Sequence, residues 1–106
     1  MSNSIVIVDY NVGNLRSVQK SFERNNTKAT ITNDHKIIMS ADKIVLPGVG
    51  SFCDGMNKLS NLGLLEILNH AVIENKKPFL GICLGMQLMA NISYEDSKTK
   101  GLGWID

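Results

Sequence analysis

Two short segments of this sequence are apolar without interruption and rich in β-branched residues: Ile5-Val6-Ile7-Val8 and Ile44-Val45-Leu46. A strand with one face in water alternates apolar and polar residues. A run with no polar position needs cover on both faces, which a parallel sheet with helices above and below supplies. The first run leads into the turn-prone Asp9-Tyr10-Asn11-Val12-Gly13-Asn14 and the second into Pro47, so each reads as a buried strand delivering a loop. Between them, Leu15, Val18 and Phe22 recur at helical spacing among Arg16, Gln19, Lys20 and Glu23, which predicts an amphipathic helix over about 14–25. Lys28 to Thr32 alternates as a short edge strand, and residues 35–41 hold at most a short helix.

Farther along, a turn-rich stretch over 48–55 is expected to lead into a longer helix carrying Leu62, Leu65, Leu68, Ala71 and Val72 and ending near Asn75. Lys76-Lys77 stands where cations favour a helix C-terminus. Pro78 opens Phe79-Leu80-Gly81-Ile82, another candidate central strand, and residues 84–90 return as a helix. The order β-α-β-(α)-β-α-β-α is that of an α/β fold, a mostly parallel, flavodoxin-like sheet with helices on both faces. Right-handed crossovers bring the C-terminal ends of the strands to one rim. Residues 9–13, 47–51 and Cys83 are therefore expected to converge there.

A formal charge of +1 gives no strong pull toward phosphate backbones or anionic membranes. No window approaches the roughly 18 uninterrupted apolar residues of a spanning helix. Met1-Ser2-Asn3-Ser4 lacks the basic region of a signal peptide, so the expected location is the cytoplasm. The two cysteines read as free thiols, although counting alone leaves a Cys53–Cys83 bond open.

The strongest local signal is Gly81-Ile82-Cys83-Leu84-Gly85, preceded by an apolar strand and followed by a helical run. In a nucleophile turn, small residues two before and two after the nucleophile let strand and helix approach closely, which gives Gly81 and Gly85 structural roles. Cys83 would project at the rim, beside the positive end of the following helix, and attack a carbonyl carbon to form a covalent intermediate. The oxyanion so formed needs two backbone N–H donors, one from Leu84 and one from the loop containing Gly48, Val49 and Gly50. The competing reading makes Cys83 a small buried hydrophobe and its two glycines mere packing. His70 reads as a partly buried or exposed helical residue and His35 as a surface or capping residue. Neither has partners at metal-ligand spacing, so no metal and no cofactor is assigned.

With Pro47-Gly48-Val49-Gly50-Ser51-Phe52 and Pro78-Phe79-Leu80-Gly81-Ile82-Cys83-Leu84-Gly85-Met86-Gln87-Leu88, the chain resembles class I (triad-type) glutamine amidotransferases. Asp9-Tyr10-Asn11-Val12-Gly13-Asn14-Leu15 and Gly101-Leu102-Gly103 are similar, more closely, to the glutaminase subunits of imidazole glycerol phosphate synthase. The resemblance covers nearly the whole chain. It implies that Cys83 hydrolyses L-glutamine through a thioester, that Gly48 to Gly50 frame the oxyanion and that Gln87 helps hold the substrate. Asn11 and Asn14 would face a partner, a cyclase subunit built as a (β/α)₈ barrel. The cyclase would use the ammonia to form imidazole glycerol phosphate in histidine biosynthesis. Nothing in the resemblance calls for nucleic acid or a membrane.

The family also carries a downstream His-x-Glu pair for proton transfer, which residues 1–106 do not contain. The expectation is therefore the N-terminal portion of a single amidotransferase domain, truncated and inactive alone, with an apolar sheet edge and face left bare. Gly101-Leu102-Gly103-Trp104 looks ordered, and Trp104 is expected to find its burial in a structured continuation. Three alternatives stay open: a subunit feeding ammonia to a surface-sugar-modifying synthase, a non-catalytic domain occupying a partner surface, and a cysteine-dependent hydrolase or chaperone of the related flavodoxin-like superfamily.

Overall fold

A computed structural model describes residues 4–89, 92–93 and 99–104. Ala90, most of the polar stretch 93–100 and the final two residues lie outside them. Strands β1 (Ile5–Val8), β2 (Ala29–Thr32), β3 (Lys43–Leu46) and β4 (Phe79–Gly81) form a parallel sheet in the order β2-β1-β3-β4. Helices α1 (Leu15–Arg24), α2 (His35–Ser40), α3 (Phe52–Asn61), α4 (Leu64–Asn69) and α5 (Leu84–Leu88) connect or follow them. A π-helical turn (His70–Glu74) extends α4, and β5 (Ile92–Ser93) pairs antiparallel with β6 (Thr99–Lys100).

The uninterrupted runs are buried on both sides, as their composition requires. Ile5, Ile7, Ala29 and Val45 face α1, which contributes Leu15, Val18 and Phe22. Val6, Val8, Ile44 and Leu46 face the opposite layer, where Ile38, Phe52, Met56, Leu59, Leu64, Leu68, Leu84 and Leu88 fill the larger core. Each such side chain contributes roughly 1.5–3 kcal/mol on leaving water. Strand β4 is an edge among the described residues rather than central. Its Leu80 pairs with Val45 and so shares the α1 face, yet it is 50% exposed.

Several local readings change. Residues 52–55 are helical rather than turn, because Ser51 caps α3 by accepting the Asp54 N–H at 3.2 Å. The expected longer helix ends at Glu74, beside the expected Asn75, but carries Leu65, Leu68, Ala71 and Val72 without Leu62, because Gly63 sits in the left-handed region (φ 69°) and turns the chain between α3 and α4. Lys77 reaches a different helix end from the one expected: its ammonium donates to the carbonyl of Ala41, the C-terminal cap of α2, at 2.6 Å. Trp104 packs within the chain itself, edge-on to Phe79 with ring centres 4.8 Å apart, and its indole N–H donates to Asn69. No helix of the described residues is long and apolar enough to cross a membrane.

Helix α2 depends on its cap. One oxygen of Asp34 accepts the N–H groups of Lys36 and Ile37 at 2.9 and 3.2 Å, which orients the short helix that buries Ile38. Asp34→Ala should lower stability by about 1 kcal/mol, read as a lower urea midpoint at unchanged slope.

Candidate functional site

Three loops meet at the C-terminal rim. The first follows β1, where Tyr10 is fully buried and its hydroxyl donates to the carbonyl of Pro47 at the end of β3. In the same loop, the Asn11 carbonyl accepts a hydrogen bond from Lys58 of α3 at 3.0 Å. The second loop, residues 47–51, reaches the third through the Leu84 N–H, which donates to the Gly48 carbonyl at 3.1 Å. The expected convergence is therefore present, assembled from strands distant in sequence.

Cys83 forms the turn between β4 and α5. Its φ is 52°, in the left-handed region. For a residue without the local hydrogen bonding of Asn or Asp, that backbone costs on the order of 1 kcal/mol. Bonds on both sides hold it there. Ile82 N–H donates to Leu46 at 3.0 Å, Gly85 N–H to Ile82 at 2.9 Å, and Gln87 N–H to Cys83 itself at 3.3 Å. Leu84 and Gly85 are buried while Cys83 is exposed, so the strained turn presents its residue outward. Both cysteines are free; Cys53, half-buried in the first turn of α3, accepts from Asn57 at 3.7 Å.

The glycines supply room. A Cβ on Gly85 would overlap the Leu46 carbonyl oxygen, so α5 starts directly against the end of β3. A Cβ on Gly48 would overlap the Tyr10 hydroxyl and come within 3.3 Å of the Leu84 Cβ. Gly81 ends β4 in register with Leu46. Val49, 51% exposed, and exposed Gly50 form the outer part of the loop.

The remaining candidates stand around this centre. Gln87 is exposed one turn beyond Cys83. Asn11 and Asn14 are exposed and left-handed at φ 63° and 75°. Asn14 begins α1 without a side-chain capping bond. Sequence reading overlooked Tyr10, whose signal was an aromatic hydroxyl directly after a buried strand.

The histidines belong elsewhere. His70 Nδ1 lies 2.9 Å from Glu74 on the solvent side of the π-helical turn. His35 approaches the Leu62 carbonyl at 3.2 Å. Both line one surface cleft with Glu66, Asn69 and Glu74, a cleft that includes neither Cys83 nor the 47–51 loop. Among the described residues, no group of three or more His, Cys, Asp or Glu is placed to hold a metal ion.

Burial pushes the Tyr10 phenol well above its ordinary range, so the hydroxyl remains a donor. Because the unfolded phenol ionises near pH 10 while the folded one resists, this contribution to stability is intact below about pH 10 and is lost above it. Tyr10→Phe should flatten that alkaline loss in a pH series of thermal melts.

The sequence profile of class-I glutamine amidotransferases matches residues 6–99. A subunit HisH of imidazole glycerol phosphate synthase from Methanococcus maripaludis is 49% identical over 102 residues, covering 96% of this chain and 50% of that relative. The corresponding subunit from Pelagibacter ubique is 47% identical over 108 residues, covering 96% and 51%. That from Syntrophotalea carbinolica is 51% identical over 102 residues, covering 95% and 48%. The chain thus spans about half the length of the curated relatives it matches.

Proposed function

The chain belongs to the class-I glutamine amidotransferase family, and from that premise we propose that Cys83 is the nucleophile of a glutaminase that releases ammonia for a cyclase partner. The observation that carries the reading is the exposed thiol-bearing residue in a left-handed turn between β4 and α5, beside the glycine loop that follows β3. The named relatives, subunits of imidazole glycerol phosphate synthase, support histidine biosynthesis as the destination of the ammonia.

In the reaction, the Cys83 thiolate attacks the side-chain carboxamide carbon of glutamine and the carbonyl becomes an oxyanion. The C–N bond then breaks, ammonia leaves with one added proton, and a thioester remains. Water cleaves it to glutamate and restores the thiol. We assign the proton transfers to a His-x-Glu pair in the half of the relatives that this chain does not span, since His35 and His70 are engaged in another cleft. The cytoplasm is the compartment that fits free thiols and a soluble substrate.

The oxyanion needs donors, and in this structure one of them is occupied: the Leu84 N–H is bonded to the Gly48 carbonyl. That carbonyl and the Val49 N–H belong to one peptide. A half-turn of this peptide withdraws the carbonyl, frees Leu84 and brings the Val49 N–H to the same side, so that two donors converge. Gly48 stands at one end of the peptide at φ 157°, and without a Cβ it tolerates the change of ψ that the turn requires. On this reading the bond from Leu84 to the Gly48 carbonyl belongs to a resting arrangement, and a signal from a bound partner through the exposed Asn11 and Asn14 loop would favour the turned one.

The test joins this chain to the second half of the Methanococcus maripaludis relative and measures glutamate release with and without the cyclase. Hydrolysis stimulated by the cyclase, with a glutamyl thioester on Cys83 trapped in an acid quench, is the expected result. A folded fusion that never acylates Cys83 would overturn the assignment.

A further inference from the structure

We propose that Tyr10 is a positioning residue, which fixes one peptide of the glycine loop so that only the next can turn. The inference rests on the glutaminase reading above and concerns the same site.

Tyr10 is the first residue beyond Asp9 in the loop after β1, and it is completely buried despite its hydroxyl. A buried hydroxyl without a partner is unfavourable by roughly 1–3 kcal/mol. Here it donates to the Pro47 carbonyl, and burial keeps it in the protonated, donating form. Pro47 is itself fully buried, and its ring fixes its φ. The Pro47–Gly48 peptide is thus held at its carbonyl by Tyr10 and at its origin by the proline ring.

The adjoining Gly48–Val49 peptide is held differently. Its carbonyl has the Leu84 N–H as partner, and its outer residue, Val49, is exposed. The Tyr10 hydroxyl also borders Gly48 closely enough to exclude a Cβ there. Rotation is consequently confined to one peptide plane whose two ends are glycine and solvent-facing valine. A fixed axis matters because an oxyanion donor displaced by about 1 Å forfeits much of its effect. If both peptides rotated, the Val49 N–H would sweep a range of positions instead of reaching one.

A purely packing role for the ring predicts that Phe serves as well as Tyr. Tyr10→Phe in the fusion protein keeps the ring and removes only the hydroxyl. The expected result is a kcat for glutamine roughly tenfold lower, with KM within about twofold. Amide exchange at Leu84 should be about tenfold faster because its bond to Gly48 opens more often, while Ile44 and Val45 in β3 exchange as before. Alkylation of Cys83 by iodoacetamide, a displacement at carbon that creates no oxyanion, should keep its rate. The amplitude of the unfolding transition in a urea melt gives the folded fraction and normalises kcat if part of the variant fails to fold.

Unchanged kcat and unchanged Leu84 exchange would overturn the proposal. So would a uniform acceleration of exchange throughout β3, which would mean general destabilisation. A parent fusion that hydrolyses no glutamine would overturn the glutaminase reading instead, and the exchange contrast would then still decide whether Tyr10 anchors the loop.

Discussion

Replacing Cys83 by Ala should reduce glutamine hydrolysis by the fusion protein at least about a thousandfold, since no other group supplies the covalent step, and should leave its stability nearly unchanged. The two halves of this expectation have separate causes. Activity is lost because the attacking sulfur is gone. Stability is kept because Cys83 is exposed and because Ala at φ 52° carries the same left-handed strain as Cys. Cys83→Gly sharpens the contrast. Relief of strain worth about 1–2 kcal/mol, set against about 0.5–1 kcal/mol of extra unfolded-chain entropy, should make this variant the more stable of the three by roughly 0.5–1 kcal/mol. It should be as inactive as the Ala variant. A position where the better-folding residue is the useless one is held for chemistry. Glutamate release and urea midpoints of the three proteins check both halves. Hydrolysis above about one-hundredth of the parent rate in either variant would remove Cys83 from the mechanism, and a Cys83→Gly protein less stable than the parent would mean that the turn stores no strain.

Much of this arrangement was legible in the residues, and what was not has physical reasons. Ile5 to Val8 could only be a strand covered on both faces, and the structure buries all of it. The helix after it was fixed by Leu15, Val18 and Phe22, and it begins within a residue of the expected place. The start of α3 was hidden by Gly55, which reads as a turn residue but lies inside the helix. A Cβ there would come within 3.1 Å of Leu84 and 3.2 Å of Leu88 on α5. Contact with a helix about 30 residues away chose that glycine, and no local pattern reports it. Gly63 divides α3 from α4 although the leucine spacing runs across it, because a single left-handed residue can reverse a chain without disturbing the periodicity of its neighbours. The turn at Cys83 and its neighbouring loop could be expected from Gly81, Gly85 and Gly48. The bond from Leu84 to the Gly48 carbonyl could not, because side-chain identities permit either orientation of the Gly48–Val49 peptide.

Gly85 is where the site and the fold depend on the same atom. Its α-carbon faces the Leu46 carbonyl so closely that a Cβ there would overlap the carbonyl oxygen and lie 2.6 Å from its carbon, with the Pro47 carbonyl oxygen 3.3 Å away. Both obstacles are backbone, at the end of a strand paired with β1 and β4, so neither can rotate aside as a side chain would. Gly85→Ala must therefore lift α5 away from β3. That movement breaks the Ile82–Leu46 and Leu84–Gly48 bonds and withdraws Leu84 and Leu88 from the core that they fill. We expect a loss of about 3 kcal/mol or more, corresponding to a fall in Tm of roughly 10–20 °C for a unit of this size, together with loss of glutamine hydrolysis. Gly13→Ala is the control: its nearest neighbour would be a Val49 methyl at 3.8 Å, an ordinary contact, so its Tm should stay within roughly 3 °C of the parent. Equal melting temperatures for the Gly85→Ala protein and its parent would mean that α5 does not start against β3. The placement of Cys83 above the sheet would fall with that contact, because the crossing of strand and helix at Gly85 holds the turn in place.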